Sequence, residues 1–280
     1  MSAPDTPKPA IGFIGLGSQG GPMADRIAAA GYPLSVWARR AEALDPFVAA
    51  GAAAADTIAA LGARVDIACL CVVDDEGVAA IVDQLLPAMR PGSLLVIHST
   101  ILPESCERLA ERCAGAGIDF LDAPVSGGGP AAAAGTLTLM CGGTSEAFAR
   151  ARPLFESFSG AIVHLGPAGS GQRAKIVNNA LMAANMGLAH AALAAGEALG
   201  VDRTALAALI KQSSGRSFGL EVYARLPGPA AFVHGASLLV KDVKLLGAAL
   251  PGNAGAETLA EAASAFLDGA TGRNLSGASE

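Results

Sequence analysis

Two polar side chains one helical turn apart are the first candidates for chemistry in this sequence. Lys175 and Asn179 follow the glycine-rich stretch 166–171, and a helix would place their ammonium and carboxamide groups on one face. An amine held away from water gives up its proton more readily, so Lys175 could exchange protons near neutral pH. Asn179 could then orient a substrate oxygen, with Asn178 as the competing choice. The alternative is that Lys175 is a surface charge near a helix start.

A glycine fingerprint for a dinucleotide lies near the N-terminus, in the run Gly15-Leu16-Gly17-Ser18-Gln19-Gly20. A predicted strand precedes it and a predicted helix follows it, which is the order that a pyrophosphate-binding turn requires. Gly15 permits the turn, Gly17 lets the backbone approach the phosphates, and Gly20 lets the helix pack on the strand. The pattern predicts dinucleotide binding by all six residues. Val72 and Val73, at the end of another predicted strand, are further candidates for cofactor binding. The alternative is a glycine-rich turn without a ligand.

Two arginines stand where an acidic residue would bind the ribose of NAD. About 20 residues beyond the fingerprint, the sequence has Trp37-Ala38-Arg39-Arg40 and no carboxylate. Arg39 could hold a 2′-phosphate by bidentate contact, and Arg40 by stacking or a second contact. The sequence therefore predicts NADP(H) as the preferred cofactor and NAD(H) as the second choice. The alternative is that both arginines are solvated surface charges.

A hydroxyl group and consecutive glycines follow a predicted strand at residues 119–123. The N–H groups around Ser126, Gly127 and Gly128 could form an anion-binding concavity that accepts a substrate carboxylate. The alternative is a flexible loop, which composition alone favours.

Apolar runs that alternate with helical patterns predict an α/β Rossmann domain with a doubly wound parallel sheet over residues 1–168. The predicted strands are 11–15, 34–38, 66–73, 93–98, 119–123, 137–141 and 161–165. The predicted helices between them are 21–30, 41–50, 76–86, 104–114 and 145–157. Only helical patterns follow, at 173–199, 202–213, 216–225, 235–249 and 255–268, which predicts an all-α C-terminal domain over residues 169–280, joined by a long helix.

Composition argues against several other classes of protein. Of 280 residues only 16% are charged, the formal net charge is -6, and no basic run is present, which argues against a nucleic-acid partner. Five cysteines form no C-x-x-C pair, and the four histidines share no metal-ligand spacing, so we predict neither disulfides nor a metal site. Residues 1–9 lack the apolar core of a signal peptide, and the uncharged stretch 176–196 contains polar residues. We therefore expect a cytoplasmic protein without a membrane span.

Together these motifs resemble those of the β-hydroxyacid dehydrogenase family, the group of 3-hydroxyisobutyrate dehydrogenases and glyoxylate/succinic semialdehyde reductases. The cofactor motif G-L-G-x-M-G-x-P-M is matched from Gly15 to Met23, except at Gln19. The substrate motif D-A-P-V-S-G-G is matched in full from Asp122 to Gly128. The catalytic motif G-x-G-x-x-x-K-x-x-x-N is matched from Gly169 to Asn179, so the resemblance covers nearly the whole chain.

The resemblance implies hydride transfer between a nicotinamide cofactor and a small hydroxyacid or semialdehyde. Lys175 would be the general acid in reduction and the base in oxidation, and Asn179 would hold the substrate. The substrate carboxylate would bind to the segment Ser126-Gly127-Gly128. In the family, helical domains pair, which implies a homodimer or a homotetramer.

Further site residues come from the same resemblance. Thr100 would lie near the nicotinamide and the substrate. Lys241 would contact the cofactor, with Asp242 fixing its position. His234 stands where family members often carry an aromatic substrate contact, so the substrate pocket departs from the family pattern there.

Two other functions are compatible with the sequence. Imine reductases resemble this family closely, but they usually lack the lysine that this chain keeps at position 175. A catalytically silent dinucleotide-binding module is the alternative from another class of protein, and it predicts no turnover.

Overall fold

The computed structural model describes residues 7–272, apart from the side chain of His234. The chain divides into two compact units, Met1–Lys175 and Ile176–Glu280. A long helix, α8 (Ser170–Ala198), runs through this division. The boundary predicted from the sequence, between residues 168 and 169, comes just before that helix begins.

The first unit is built on a sheet whose central strands are parallel. Its strands are β1 (Ile11–Ile14), β2 (Leu34–Trp37), β3 (Ala53–Ala54), β4 (Ile67–Leu70), β5 (Leu94–Ile97), β6 (Asp119–Asp122), β7 (Val125–Ser126), β8 (Leu137–Gly143) and β9 (Ser159–His164). They lie in the order β3-β2-β1-β4-β5-β6-β8-β7, and β9 pairs with β8. The first six strands of this order are parallel and follow the strand order of a Rossmann domain.

Helices cover both faces of this sheet. They are α1 (Gly20–Ala29), α2 (Asp45–Ala49), α3 (Ile58–Gly62), α4 (Asp75–Leu85), α5 (Pro103–Gly115), α6 (Gly128–Ala134) and α7 (Ser145–Phe155). Short 3₁₀ turns lie at Ala41–Leu44 and Leu86–Ala88.

Residues on adjacent positions of a central strand join opposite halves of the core. In β5, Leu94 and Val96 belong to the cluster that contains Met23 of α1, whereas Leu95 and Ile97 belong to the cluster that contains Leu85 of α4. All four β5 residues are completely buried. This two-sided burial explains why the central strands are continuous apolar runs without polar alternation.

The second unit is helical. It contains most of α8 and the helices α9 (Arg203–Ile210), α10 (Phe218–Tyr223), α11 (Val233–Ala249) and α12 (Ala254–Thr271), with a 3₁₀ turn at Pro229–Phe232. Helix α8 crosses α12 closely, because a side chain at Gly187 would collide with the backbone of Ala262. Within residues 7–272, none of the helices combines the length and the apolarity that crossing a membrane requires.

The predicted fold class is confirmed, with differences at one edge of the sheet. Strand β8 runs antiparallel to both β6 and β7, and it extends to Gly143 because its last residues pair with Leu121 and Asp122. The prediction from the sequence missed the two-residue strands β3 and β7 and the short helix α3. It also missed α6, because the run Gly-Gly-Pro-Ala has the composition of a loop, although proline is well tolerated in the first turn of a helix.

Candidate active site

The glycine turn after β1 has two glycines that the fold itself requires. Gly15 has a φ of 100°, and a Cβ there would collide with the carbonyl group of Cys71. A Cβ on Gly20 would collide with the carbonyl oxygen of Gly15. At Gly17, by contrast, no described atom beyond its chain neighbours comes within 4 Å of the place that a Cβ would occupy. Gly17 therefore borders open space, where a ligand could approach the backbone.

The start of α1 is suited to an anion. Its N-cap residue, Gln19, makes no side-chain capping bond within the described part of the chain, and its first turn contains no acidic residue. Other helices have such caps, as Thr57 provides for α3 and Thr144 for α7. Uncapped N–H groups and the positive end of the helix dipole attract phosphate groups.

Three of the predicted cofactor segments, all in the first unit, lie where the order of the strands reverses. Strand β1 lies between β2 and β4. The strands that follow β1 directly, β2 and β3, lie on one side of it, and β4, β5 and β6 lie on the other side. Ligands of such sheets bind beyond the carboxyl ends of the strands at this point. The fingerprint follows β1, Val72 and Val73 follow β4, and the exposed Arg39 and Arg40 follow β2. The sheet thus brings these three segments to one edge.

The segment that carries Thr100 is tied to the neighbouring loops. The hydroxyl group of Ser99 accepts a hydrogen bond from the N–H of Val72 at 2.8 Å. The carboxylate of Asp75 accepts a bond from the N–H of Leu102 at 3.2 Å. Thr100 itself is partly exposed. The predicted substrate residue thus lies between two fixed points, one of them joined to the predicted cofactor segment at Val72.

The predicted carboxylate-binding segment lies beside the glycine turn. Ser126 ends β7, and Gly128 is the first residue of α6. The next residue, Gly129, approaches Ser18 so closely that a Cβ there would meet the Ser18 carbonyl oxygen at 2.5 Å. Gly127 and Gly128 are exposed and have φ values of 127° and 71°, which only glycine adopts readily. The segment is therefore an ordered strand-to-helix turn, not a long loop.

A buried carboxylate fixes the start of α8. Asp122, the last residue of β6, is completely buried and accepts hydrogen bonds from the N–H groups of Gly169 at 2.7 Å and Gln172 at 2.9 Å. Burial raises the pKa of Asp122, while the N–H donors of Gly169, Gln172 and Gly171 oppose the rise. The carboxylate acts as a cap supplied by a distant strand, since it binds N–H groups that the helix leaves unpaired.

Lys175 lies in the second turn of α8 and is 7% exposed. Lysine is rarely buried to this extent without a specific partner or role. Asn179 follows one turn later on the same helix, as predicted, and is partly exposed. The helix therefore places both groups on one face, as the spacing required.

In the second unit, the remaining polar candidates form a chain of side-chain contacts. Asn178 donates from Nδ2 to Oδ1 of Asn179 at 3.0 Å, and Asn179 donates from Nδ2 to Oδ2 of Asp242. The ammonium group of Lys241 lies 3.5 Å from the other oxygen of Asp242. Asp242 is 3% exposed, so it is a buried anchor for both Asn179 and Lys241. His234 lies in α11, and its side chain is outside the described part of the structure.

The prediction from the sequence did not identify the residues that anchor the Thr100 segment and the start of α8. Asp122 was known only as the first letter of a motif, and Ser99 and Gln172 were given no role. A buried polar residue beside a predicted site residue was the only available signal, and burial is not visible in the sequence.

Among the described residues, no group of three or more His, Cys, Asp or Glu side chains could hold a metal ion.

Two family models match consecutive parts of the chain. Residues 10–166 match the NAD-binding domain of 6-phosphogluconate dehydrogenase. Residues 169–275 match the NAD-binding domain of NADP-dependent 3-hydroxyisobutyrate dehydrogenase. The chain belongs to the β-hydroxyacid dehydrogenase family. This confirms the resemblance that the three motifs indicated.

Known proteins resemble this chain over most of their length. An NAD-dependent L-serine dehydrogenase of Pseudomonas aeruginosa is 43% identical over 84% of this chain and 83% of its own. A solved structure of Mycobacterium tuberculosis 3-hydroxyisobutyrate dehydrogenase with L-serine has a TM-score of 0.83 and 30% identity, covering 92% of both chains. The structure of Psf3 in complex with NADP⁺ and 2-OPP has a TM-score of 0.79 and 29% identity, covering 92% of this chain and 93% of that one.

The glycine turn of this chain fits a nicotinamide dinucleotide. The space beside Gly17, the uncapped start of α1 and the position at the strand-order reversal are the features that a pyrophosphate requires. The residues that would hold it are the fingerprint Gly15–Gly20 and the strand ends at Val72 and Arg39. The individual contacts of these residues stay predictions.

Proposed function

We propose that the protein transfers hydride between NADP(H) and a small hydroxyacid or semialdehyde, with Lys175 moving the accompanying proton. Membership of the family makes it an NAD(P)-dependent oxidoreductase of the hydroxyacid class. The observation that carries the proposal for Lys175 is a buried amine in a helix whose start is fixed by Asp122. Such a group is held in one place, and general acid–base catalysis depends on a positioned side chain.

Each residue of the site has one task in this proposal. A bound nicotinamide would supply the hydride acceptor for oxidation and the hydride donor for reduction. The amine of Lys175 takes the proton of the substrate hydroxyl group as the carbon is oxidised, and gives it back in the reverse direction. Asn179, oriented by Asp242, holds the same hydroxyl group. Ser126, Gly127 and Gly128 receive the substrate carboxylate, and this binding orients the reacting carbon.

A panel of substrates tests the proposal. We would assay 3-hydroxyisobutyrate, L-serine, glyoxylate, succinic semialdehyde and a cyclic imine with each nicotinamide cofactor in the matching redox state. Turnover of a hydroxyacid or an aldehydo-acid is expected. Turnover of the imine alone would indicate an imine reductase, and the absence of any turnover would indicate a dinucleotide-binding module.

The Lys175→Ala variant tests the role of the amine. Its kcat should fall by about 10²- to 10⁴-fold, the usual contribution of a positioned acid or base, while its Kd for NADPH stays nearly unchanged. Lys244→Ala is the matched control, because Lys244 is an exposed lysine of α11. A variant that keeps kcat within a few-fold of the wild type would exclude Lys175 as the proton carrier.

The choice of NADP(H) rests on Arg39 and Arg40. Both are exposed beyond the end of β2, where the ribose of the cofactor is expected, and no carboxylate stands between Trp37 and Arg40. The relatives differ in cofactor, since the P. aeruginosa L-serine dehydrogenase is NAD-dependent and Psf3 was solved with NADP⁺. Arg39→Ala should raise the Kd of NADPH about tenfold or more and leave that of NADH unchanged, because one charge-assisted contact is lost. Equal effects on both cofactors would contradict the assignment.

A homodimer or homotetramer is part of the same proposal. Helix α8 exposes the apolar side chains of Val177, Leu181 and Leu188, which are 47%, 50% and 58% exposed. Their spacing places them on one face of the helix, and a second copy of the chain would cover such a face. Light scattering of the purified protein should give a mass of two or four times 27.7 kDa, and a mass of 27.7 kDa would contradict the prediction.

A further inference from the structure

The side chain of Gln172 joins helix α8 to the segment that carries Thr100. Its amide nitrogen donates to the carbonyl oxygen of Ser99 at 2.8 Å, and its amide oxygen accepts from the N–H of Ile101 at 3.2 Å. These two partners flank Thr100 in the sequence. One carboxamide therefore holds the backbone on both sides of the predicted substrate residue.

Gln172 is itself held firmly. It is completely buried, and its backbone N–H donates to the carboxylate of Asp122 at 2.9 Å. Lys175 follows three residues later on the same helix. A short and fully hydrogen-bonded path thus runs from the Thr100 segment, through Gln172, to the helix that carries the buried amine.

The chemistry of this contact requires a carboxamide. Ser99 offers an acceptor and Ile101 offers a donor, so the bridging group must donate at one end and accept at the other. Glutamine does so without charge, whereas an ionised glutamate only accepts and a methionine makes no strong bond. Burying a polar side chain is unfavourable unless its hydrogen bonds are made, and here both ends of the buried carboxamide are satisfied by backbone groups.

We propose that Gln172 is a positioning residue, which sets the place of Thr100 relative to Lys175 during hydride transfer. The inference rests on the proposed function and names a residue that the motifs did not assign. Gln172 does not touch the substrate in this proposal, because it acts through the backbone on either side of Thr100. The residue is therefore expected to affect turnover more than cofactor binding.

A double-mutant cycle tests the coupling between Gln172 and Thr100. Gln172→Met keeps the length of the side chain and removes both hydrogen bonds, and it should lower kcat/KM for 3-hydroxyisobutyrate about 10- to 100-fold, the scale of a misplaced site residue. Thr100→Ala should also lower kcat/KM. The double variant should lose little beyond the larger single loss, because residues that act through one another are not additive. Losses that multiply in full would overturn the proposal.

Arg173→Ala is the matched control for this cycle. Arg173 is the next residue of α8, and its side chain is half exposed. This variant should keep kcat/KM within about twofold and should leave the Kd for NADPH unchanged, as Gln172→Met should also do. An equal loss in both variants would show that the first turn of the helix matters only for stability.

Gln172→Glu gives a readout that general stability would not change. A protonated carboxyl group can donate to Ser99 and accept from Ile101, as the amide does, whereas an ionised one repels the Ser99 carbonyl. The side chain of Gln172 contacts the thiol of Cys106, on which the carboxylates of Asp122, Asp75 and Glu107 act, so the introduced group would lie in the field of all three, with Lys175 one turn along the helix. Burial and these carboxylates favour the protonated form, which Lys175 opposes. The ratio of variant to wild-type kcat/KM should fall as the pH rises, and a ratio that is constant with pH would contradict the proposal.

Hydrogen exchange separates failure of this inference from failure of the proposed function. The N–H of Ile101 should exchange at least tenfold faster in Gln172→Met than in the wild type, and at the wild-type rate in Arg173→Ala. Unchanged exchange at Ile101 would contradict the proposal that Gln172 holds the Thr100 segment, whether or not the protein is an enzyme. A wild-type protein that turns over none of the panel would contradict the proposed function and with it the role of Gln172 in positioning Thr100 for turnover.

Discussion

Polar side chains near the site make different kinds of hydrogen bond in the two units. In the first unit, Asp122, Gln172 and Ser99 bind backbone groups of neighbouring segments. In the second unit, the polar residues bind one another's side chains, in the order Asn178, Asn179, Asp242 and Lys241. The first arrangement fixes the path of the chain, and the second fixes the orientation of a few functional groups.

This difference leads to separate expectations for stability and activity. A backbone N–H or C=O that loses a buried partner stays in place and stays unpaired, so the folded state carries the full cost. A side chain that loses a side-chain partner can rotate toward water, which reduces that cost. Changes in the first unit should therefore lower the free energy of unfolding, whereas changes in the second should mainly lower turnover.

The largest effect is expected for Asp122→Ala. The change leaves the N–H groups of Gly169 and Gln172 without their acceptor at the buried start of α8. Two unsatisfied buried donors should reduce the free energy of unfolding by about 2–6 kcal/mol. Urea unfolding measures this loss, and Asp119→Ala is the control, because Asp119 in the same strand is exposed and makes a surface ion pair. Similar losses for the two variants would remove the distinction between backbone anchors and surface charges.

The second effect concerns His98, another backbone anchor of the first unit. Its ring is 2% exposed, donates from Nδ1 to the carbonyl oxygen of Ala123 at 2.8 Å, and packs against the rings of Phe13, Phe155 and Phe158. Burial lowers the pKa of His98 to about 4, and the bond to Ala123 opposes this shift. The folded protein therefore keeps the neutral imidazole well below the pH at which the unfolded chain takes up a proton.

Stability should consequently fall as the pH decreases from about 6.5 toward 4, because only the unfolded chain gains a proton in that range. Above that range both states are neutral and His98 contributes no pH dependence. The full loss is about 3 kcal/mol. His98→Met should remove this slope, which urea unfolding at pH 7.5 and pH 4.5 can measure. A slope that persists in the variant would assign the acid sensitivity to other groups.

A smaller change in stability is expected in the second unit. Asp242→Ala removes the oxygen that accepts from Asn179 and the charge beside Lys241. The free energy of unfolding should fall by about 1 kcal/mol, the value of one ordinary hydrogen bond. Turnover should fall about tenfold or more, since Asn179 loses its fixed orientation. A large stability loss with normal turnover would contradict the division of roles between the units.

The same division explains what could be predicted from the sequence. The strands β1, β4 and β5 were predictable because burial on both faces makes them continuous apolar runs. The long helix α8 was predictable because a helical pattern runs through residues 173–199 and no strand pattern follows it. Lys175 and Asn179 could be paired because a helix repeat converts sequence spacing into a shared face.

The anchors could not be predicted, because their partners are distant in the sequence. Asp122 and Gly169 are separated by 47 residues, and Ser99 and Gln172 by 73. Their partners are also backbone groups, which every residue has, so no residue type marks them. The short strand β7 and helix α6 were missed for a related reason, since two residues and a glycine-rich turn carry too little periodicity.

The smallest effect is expected from an exposed ion pair that joins the first turn of α8 to α5. Arg173 and Glu107 form an ion pair whose side chains are 51% and 44% exposed. Glu107→Gln should reduce the free energy of unfolding by less than about 1 kcal/mol, because solvent and side-chain entropy offset most of the attraction, and added salt should reduce the difference further. This pair lies one residue from Gln172, so the local helix is the same and only burial and the type of partner differ. A loss as large as that of Asp122→Ala would mean that position in the first turn of α8, rather than backbone anchoring, determines stability there.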